Sequence, residues 1–453
     1  MNCKKILVGI LSAAMVFTTM AIPAFADESE TKVAEINKIG YNTLTAAITA
    51  ASANDTVTLL SNVTESITVE NGKNITLDLN GKTLTNVEGN DTIKNYGTLT
   101  IEDNSTDKNG KVDNVSHAKA ALINYEDSSV TLKSGTFARS SELGTDSGAN
   151  GNSWYTIANF GAMEINNNVT VENSGTFSSL ITNGYYDATK VTDPKTATLT
   201  INGGKFTGGK WTVKNDDKGK LVINNGEFTH LANFGGVVLN NNIATINGGT
   251  FVDDGSRKWA LGTVYAQGGN NAGITTITDG KFTGKLTQET IGAKISISGG
   301  TFNTNVNSYC AEGFAPTKNA DGTFTVKEKG ITWDYGTDSG IYTAVDGNNY
   351  GVMRFMFSTD INANDVTKIG IKYISSKLEN PTNGETAAGT NVEGETKKNA
   401  VQGDIIKIPT NNTNTYYAAA FIEVGGKTYW SAPISCTLDK ERTLAGYTEG
   451  GNN

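Results

Sequence analysis

The feature that most constrains the fold of this chain is a short unit that recurs along its middle part. Each unit combines alternating β-forming residues, two small polar residues, a glycine, any residue and a phenylalanine. Spacings of 20 to 23 residues match one coil of a three-sided β-solenoid, and spacings near 30 match a coil with an inserted loop. The spacing of 40 residues matches two coils or one large insertion. The copies end at Phe137, Phe177, Phe206, Phe228, Phe251, Phe282 and Phe302. The recurrence therefore predicts stacked coils with phenylalanine rings inside them.

A second pattern places an asparagine two residues after an aliphatic residue, and from Phe137 onwards it falls between successive phenylalanines. It occurs at Asn95, Asn124, Asn159, Asn183, Asn215 and Asn233. Asparagine tolerates the backbone of sharp corners, and its amide can bond the equivalent amide about 4.8 Å away in the next coil. Alternating strands with Asn-Gly turns could also build hairpins and an antiparallel sandwich. Hairpins do not require one unit in constant phase, so the pattern favours a solenoid.

The first residues have the pattern of a secretory signal peptide. Lys4 and Lys5 precede an apolar run from Ile6 to Met20, and Ala24-Phe25-Ala26 supplies a small-x-small cleavage site. The run is too short for a membrane-spanning helix, and we expect no membrane insertion. The sequence therefore predicts a secreted, extracellular protein, either free or associated with a cell surface.

Charge and cysteine content limit the partners and cofactors. The formal net charge is −9, which disfavours nucleic acid as a partner. Cys310 and Cys436 lie in different predicted domains, so a disulfide between them is left open. The histidines His117 and His230 are far apart in sequence and form no Cys/His cluster for zinc. We expect neither a cofactor nor a bound metal ion.

Composition changes along the chain predict the domain boundaries. The stretch Leu44 to Ala51 is apolar at helical spacing with Asn42 or Thr43 as N-cap, which predicts a capping helix. After Lys329 the Gly-x-Phe units end and short aromatic strands begin, which is typical of a β-sandwich. The predicted parts are residues 1–26 (signal peptide), 27–74 (N-terminal cap with a short helix), 75–329 (parallel β-helix), 330–440 (β-sandwich) and 441–453 (flexible tail). The fold class is all-β.

Several stretches carry a family resemblance. The run from Ile75 to Leu84, the repeated Gly-Gly-Thr-Phe units and the segment from Tyr309 to Phe324 resemble the pectin-lyase-like right-handed parallel β-helix superfamily, and within it secreted, adhesin-like surface proteins of Gram-positive bacteria. The resemblance covers roughly residues 35–328 and implies a right-handed solenoid. The fold serves lyases, hydrolases, adhesins and phage fibres, so it leaves function open. The stretch from Tyr417 to Ser431 resembles the last hairpin of a fibronectin type III-like or immunoglobulin-like domain.

The carboxylates do not form the pattern that polysaccharide cleavage requires. Lyases and hydrolases of this fold need acids at one phase of adjacent coils. Here the best pairs are Asp216-Asp217 and Asp253-Asp254, which we expect to be solvated turn residues. Arg139 and Arg257 fall in predicted insertions, and both histidines are expected on the surface. We therefore predict no catalytic residue.

Aromatic residues outside the phenylalanine ladder suggest a binding surface, because aromatic rings stack on sugar rings. The alternative is that they pack loops onto coils. The candidates are Trp154, Tyr155, Tyr185, Tyr186, Trp211, Trp259 and Tyr265. The sequence favours an adhesin-like or carbohydrate-binding, non-catalytic protein whose partner is a glycan or cell-surface ligand. A polysaccharide lyase or glycoside hydrolase is the alternative, and a structural surface stalk is a further one.

Overall fold

The computed structural model describes most of the chain outside the N-terminal segment and several loops. The described residues are 31–140, 154–173, 179–253, 259–268, 272–359, 361, 366–375, 385–392 and 400–447. The predicted signal peptide, residues 1–26, lies outside them and stays a prediction.

Residues 56–302 form a solenoid whose coils have three sides, each a ladder of parallel strands. Side 1 consists of Thr56–Leu59, Asn74–Asp78, Thr98–Glu102, the first halves of Ser129–Ala138 and Ala162–Asn173, Ala197–Ile201, Gly219–Ile223, Ile243–Ile246, Ile274–Ile277 and Lys294–Ile297. Side 2 consists of Val63–Thr64, Thr83–Thr85, Lys111–Asp113, the second halves of the same two long strands, Lys205–Gly208, Glu227–Thr229, Thr250–Val252, Lys281–Thr283 and Thr301–Phe302. Side 3 consists of Ile67–Val69, Ile93–Asn95, Leu122–Asn124, Tyr155–Asn159, Ser179–Asn183, Trp211–Asn215, Phe234–Asn240, Trp259–Ala266 and Leu286–Gln288. The parallel pairing confirms the predicted solenoid and rules out the alternative of antiparallel hairpins in this part of the chain.

The phenylalanine ladder lies inside side 2, as the repeat predicts. Rings of consecutive coils are nearly parallel, with centroids 4.6 to 4.8 Å apart from Phe206 to Phe302. On the coil before Phe206, the ladder position is occupied by Val171. Val171 pairs on its other side with Phe137. The assignment of this position to Phe177 was therefore wrong, and Phe177 itself lies outside the described residues. Valine fits because the position requires only an inward apolar side chain.

The asparagine ladder runs along the end of side 3 as a chain of buried amide–amide hydrogen bonds. Each Nδ2 donates to the Oδ1 of the next coil over 2.7 to 2.8 Å, from Asn95 through Asn124, Asn159, Asn183 and Asn215 to Asn240. The expected sixth member, Asn233, is not part of the ladder. It precedes strand Phe234–Asn240, in which Asn240 pairs with Asn215. The same aliphatic-x-Asn pattern occurs there as Val238-Leu239-Asn240.

Both ends of the solenoid are closed by other structure. At the N-terminus, helix α1 (Leu44–Ala50) is capped by Thr43, whose hydroxyl accepts from Ala46 N, and this confirms the predicted helix. A hairpin of Ala34–Ile36 and Ile39–Tyr41 pairs antiparallel with Thr56–Leu59. That strand already belongs to the first coil, so the solenoid begins near residue 56 rather than 75.

The C-terminal end of the solenoid follows a 3₁₀ turn, Asn307–Tyr309. There the hairpin Phe314–Lys318 and Phe324–Glu328 pairs antiparallel with the last coil, and Phe324 lies opposite Phe302. Antiparallel pairing at both ends covers strand edges that could otherwise pair with another chain.

Polar side chains line the corner between sides 2 and 3, and sequence reasoning missed this. Arg139, His230 and Asp253 each stand two residues after an inward phenylalanine and are at most 3% exposed. His230 Nδ1 lies 3.7 Å from Asp253 Oδ1. The expectations that His230 is on the surface, that Asp253 is solvated and that Arg139 sits in an insertion were wrong, because alternate strand residues share one face. His117 is exposed as predicted, and Arg257 and Asp254 lie outside the described residues.

The C-terminal part is built of antiparallel β-strands around its own hydrophobic core. Its core residues come from both halves of the sheet, for example Phe355 and Phe357 from one half and Ile371 and Ile422 from the other, as in a sandwich. The two halves join through Glu385–Val392, which pairs with a different neighbour at each end. The strands are Ile331–Thr343, Asn349–Thr359, Lys368–Ile374, Glu385–Val392, Ala400–Ile408, Thr415–Val424, Lys427–Trp430 and Ile434–Thr437.

Two further expectations concern this part of the chain. Cys310 and Cys436 are both free thiols, so the disulfide left open by the sequence is not formed. The tail predicted to be flexible is packed up to Tyr447, which is buried against Tyr342 and donates a hydrogen bond to Asp404 Oδ2 over 2.7 Å. Aromatic burial thus extends the C-terminal part beyond residue 440.

Candidate functional site

Four of the seven candidate aromatic residues line one cavity on the outer face of side 3. The cavity has a volume of about 450 Å³. Its lining residues are Trp154, Tyr155, Ser179, Tyr186, Lys210, Trp211 and Lys214. A cavity of this size with aromatic walls and a few polar groups has the properties of a small-ligand site.

The stacking of coils places the walls of this cavity. Tyr155 pairs with Ser179, and strand Ser179–Asn183 pairs in turn with Trp211–Asn215. The first residues of three successive side 3 strands, Tyr155, Ser179 and Trp211, therefore lie next to one another in the cavity wall. Tyr186 follows the middle strand and is 81% exposed, so its ring stands at the cavity rim.

The loop that carries Tyr186 is held by its neighbour Tyr185. The backbone of Tyr185 exchanges two hydrogen bonds of 2.9 Å with Asp217, and its hydroxyl donates to Glu126. Its ring packs against Phe160 with centroids 5.3 Å apart. Tyr185 therefore packs a loop rather than lining the cavity, and Asp217, expected to be solvated, is buried beneath it.

Glycines on the next two coils make room for the Trp211 indole. Trp211, Gly236 and Gly262 occupy equivalent positions on successive coils, and Trp211 packs on Tyr265 at 5.7 Å. A Cβ atom on Gly236 would lie 2.9 Å from Trp211 Cζ3 and 2.3 Å from Gly262 O. Tyr265 therefore supports a cavity wall from behind. Burial and a hydrogen bond to Glu289 raise the pKa of Tyr265 to about 12.

We expect Gly236→Ala to displace the indole and lower the free energy of unfolding by about 1–3 kcal/mol, because the added methyl group overpacks the site. The checks are tryptophan fluorescence emission and the thermal unfolding midpoint. Gly330→Ala is the matched control, since its added Cβ meets nothing closer than 3.8 Å. Unchanged emission in Gly236→Ala would contradict the inference that Gly236 makes room for the Trp211 indole.

Lys214 and Asp216 form a buried ion pair at the cavity floor. Lys214 Nζ lies 2.9 Å from Asp216 Oδ2 and 5.6 and 5.3 Å from the ring centroids of Tyr155 and Tyr186. Asp216 also accepts from Thr182 Oγ1 at 3.0 Å and Asn241 Nδ2 at 2.8 Å. Burial alone would lower the pKa of Lys214, but attraction by Asp216 raises it. The expectation that Asp216 is a solvated turn residue was wrong, because the corner after side 3 is buried.

Lys210 is the second cation of the cavity and has a different environment. It is half-buried, and its Nζ lies 5.1 Å from the centroid of the Phe234 ring. Burial and, next, repulsion by Lys214 lower the pKa of Lys210. Burial raises the pKa of Tyr155, which keeps its hydroxyl protonated. Sequence reasoning missed both lysines and Ser179, since single lysine and serine residues in or beside a strand look like ordinary solvated residues.

Trp259 is the remaining candidate. Its backbone pairs with Phe234 of the preceding coil on side 3, so Trp259 lies two coils beyond Trp211. Nothing further is described for its side chain, so its predicted role in binding stays a prediction.

A second and larger cavity, of about 630 Å³, lies at the corner between sides 1 and 2. It is lined by glycine, asparagine, threonine, valine and charged residues, among them Lys205 and Glu227, and by no aromatic ring within the described part of the chain. It lacks the stacking surfaces that the side 3 cavity offers.

Within the described ranges, no three or more His, Cys, Asp or Glu side chains stand where they could hold a metal ion. In the same part of the chain, no helix has the length and apolarity needed to cross a membrane. Family models, curated proteins and solved structures gave no match to this chain.

Proposed function

We propose that the protein binds saccharides in the aromatic cavity of side 3, as a secreted, non-catalytic and adhesin-like protein. The observation that carries the proposal is the convergence of Trp154, Tyr155, Tyr186 and Trp211 on one cavity of about 450 Å³. Sugar rings present apolar C–H faces that stack on aromatic rings. The lysines and Ser179 supply polar groups that can bond sugar hydroxyls and fix the orientation of the ring.

Membership of the pectin-lyase-like superfamily is part of this proposal. It is supported by the three-sided coils, the buried asparagine ladder and the stacked inward rings. The fibronectin type III-like assignment of the C-terminal part is supported by its antiparallel strands and its separate core. Secretion is supported by the N-terminal charge and apolar pattern.

The proposal is tested by glycan-array binding and titration calorimetry on residues 27–453. Tyr186→Ala should weaken binding roughly fivefold, because one stacking contact contributes about 1 kcal/mol. The thermal midpoint should not change, since the Tyr186 side chain is largely exposed. Trp430→Ala, which removes a partly exposed ring in the C-terminal part, is the matched control and should bind normally. Absence of glycan binding by the intact chain, or equal binding by Tyr186→Ala, would overturn the proposal.

A further inference from the structure

Tyr186 is the most exposed of the four rings that line the side 3 cavity, and the contacts that fix its loop lie outside the cavity. They converge on its neighbour Tyr185, which is buried and is not a lining residue. We propose that Tyr185 is a positioning residue for saccharide binding, because its hydrogen bond to Glu126 holds the Tyr186 loop at the cavity rim before a ligand arrives. This inference rests on the proposed function and adds to it a control of affinity from outside the cavity.

The contacts of Tyr185 join the corners of four successive coils. Tyr185 follows strand Ser179–Asn183, and its backbone exchanges two hydrogen bonds of 2.9 Å with Asp217 at the corner of the next coil. Its ring packs on Phe160 at the corner of the preceding coil, with centroids 5.3 Å apart. Its hydroxyl donates to Glu126 one coil further back. Tyr185 is therefore held from both directions along the solenoid axis.

The chain is anchored again just after Tyr186. Asp217 is buried, and its Oδ2 accepts a hydrogen bond from Ala188 N over 3.1 Å. The backbone of Tyr186 therefore runs between two anchored residues, Tyr185 and Ala188. Its side chain stays open to solvent and to a ligand.

A ring that is already in place binds more tightly than one on a loose loop, because ordering a loop and its side chains on binding costs affinity. The hydroxyl–carboxylate hydrogen bond is the contact of Tyr185 that can be removed alone, since Tyr185→Phe keeps the ring on Phe160. Burial and, next, the hydrogen bond to Glu126 raise the pKa of Tyr185, so its hydroxyl remains a donor.

Titration calorimetry on residues 27–453 tests the effect on affinity. Tyr185→Phe should weaken saccharide binding about two- to tenfold, and Glu126→Ala should do the same. Glu126→Gln keeps an acceptor oxygen and should restore most of the affinity. Tyr350→Phe is the matched control, because it removes a tyrosine–carboxylate hydrogen bond, to Asp346 over 3.1 Å, in the C-terminal part. It should bind normally.

A double-mutant cycle separates positioning from a general loss of structure. In protein that already carries Tyr186→Ala, the change Tyr185→Phe should weaken binding no further, because the ring that Tyr185 positions is gone. An equal loss of affinity with and without Tyr186 would overturn the proposal. A merely structural role would lower the unfolding midpoint and leave no such dependence on Tyr186.

Hydrogen exchange on the free protein tests the anchored loop without any saccharide. The amides of Tyr185 and Ala188, which are hydrogen-bonded to Asp217, should exchange several times faster in Tyr185→Phe than in the unmodified protein. Unchanged exchange would refute the positioning role even if glycans bind. Faster exchange in a protein that binds no glycan would overturn the proposed function and leave the anchoring by Tyr185 in place.

Discussion

Phe228→Asp should unfold the coils around it, lowering the free energy of unfolding by at least about 5 kcal/mol. Loss of a buried phenylalanine alone costs about 3–5 kcal/mol, and a buried carboxyl group without a partner adds a desolvation cost. Phe228 is fully buried between the rings of Phe206 and Phe251, at 4.6 and 4.8 Å. Each coil is stabilised mainly by its neighbours, so the damage should spread along the stack. Circular dichroism melting and hydrogen exchange measure it.

Thr229→Asp is the control for this experiment. Thr229 follows Phe228 on the same strand and points outward, between Thr207 and Val252 of the adjacent coils. A carboxylate there remains hydrated, and its cost should stay below about 1 kcal/mol. Equal melting of Phe228→Asp and the unmodified protein would contradict the inward stack.

The phenylalanine and asparagine ladders could be predicted because stacked coils repeat the same local requirement. A ring must fill the interior of each coil, and an amide must bond the amides above and below. The repeat predicted the later rings in order, from Phe206 onwards. It failed at Val171, since a valine meets the apolar requirement without the Gly-x-Phe signature. It failed again at Asn233, because the same pattern occurs at Asn233 and at Asn240, and only strand register decides between them.

The buried polar residues could not be predicted for a different reason. Asp216 and Asp253 lie in short segments that resemble solvated turns, and their burial depends on a neighbouring coil. Asn241 donates a hydrogen bond to Asp216 from one neighbouring coil. His230 lies beside Asp253 from another. Such tertiary contacts are invisible to local sequence patterns.

The candidate site was predictable only as a set of residue types. Four of the aromatic residues outside the ladder, which the sequence could only name, lie together on side 3. Which of them meet depends on inserted loops: Trp154 and Tyr186 reach the cavity, whereas Tyr185, next to Tyr186, anchors its loop instead. The two lysines of the cavity differ only in their three-dimensional surroundings. Lys214 pairs with Asp216, whereas Lys210 lies against the Phe234 ring.

Asn215→Leu should lower the free energy of unfolding by at least about 3 kcal/mol, although leucine has nearly the same size. Asn215 is fully buried, accepts from Asn183 and donates to Asn240 Oδ1, Gly219 O and Ile243 O over 2.8 to 3.1 Å. Leucine would leave several of these buried groups without a partner, at about 1–3 kcal/mol each. Thermal and denaturant unfolding give the measurement.

Asn224→Leu provides an unusually close control. Asn224 belongs to a second amide ladder, in which it donates to Asn202 over 2.8 Å and accepts from Asn247 over 2.9 Å, but this ladder is exposed. Water can replace these lost hydrogen bonds, so the loss of stability should be at most about 1 kcal/mol. The amide–amide contacts of both residues are 2.8 to 2.9 Å long, and Asn215 donates in addition to two backbone carbonyl oxygens, so the difference between the variants measures burial together with these two hydrogen bonds. Equal losses would mean that the buried ladder stabilises the stack no more than the exposed one does.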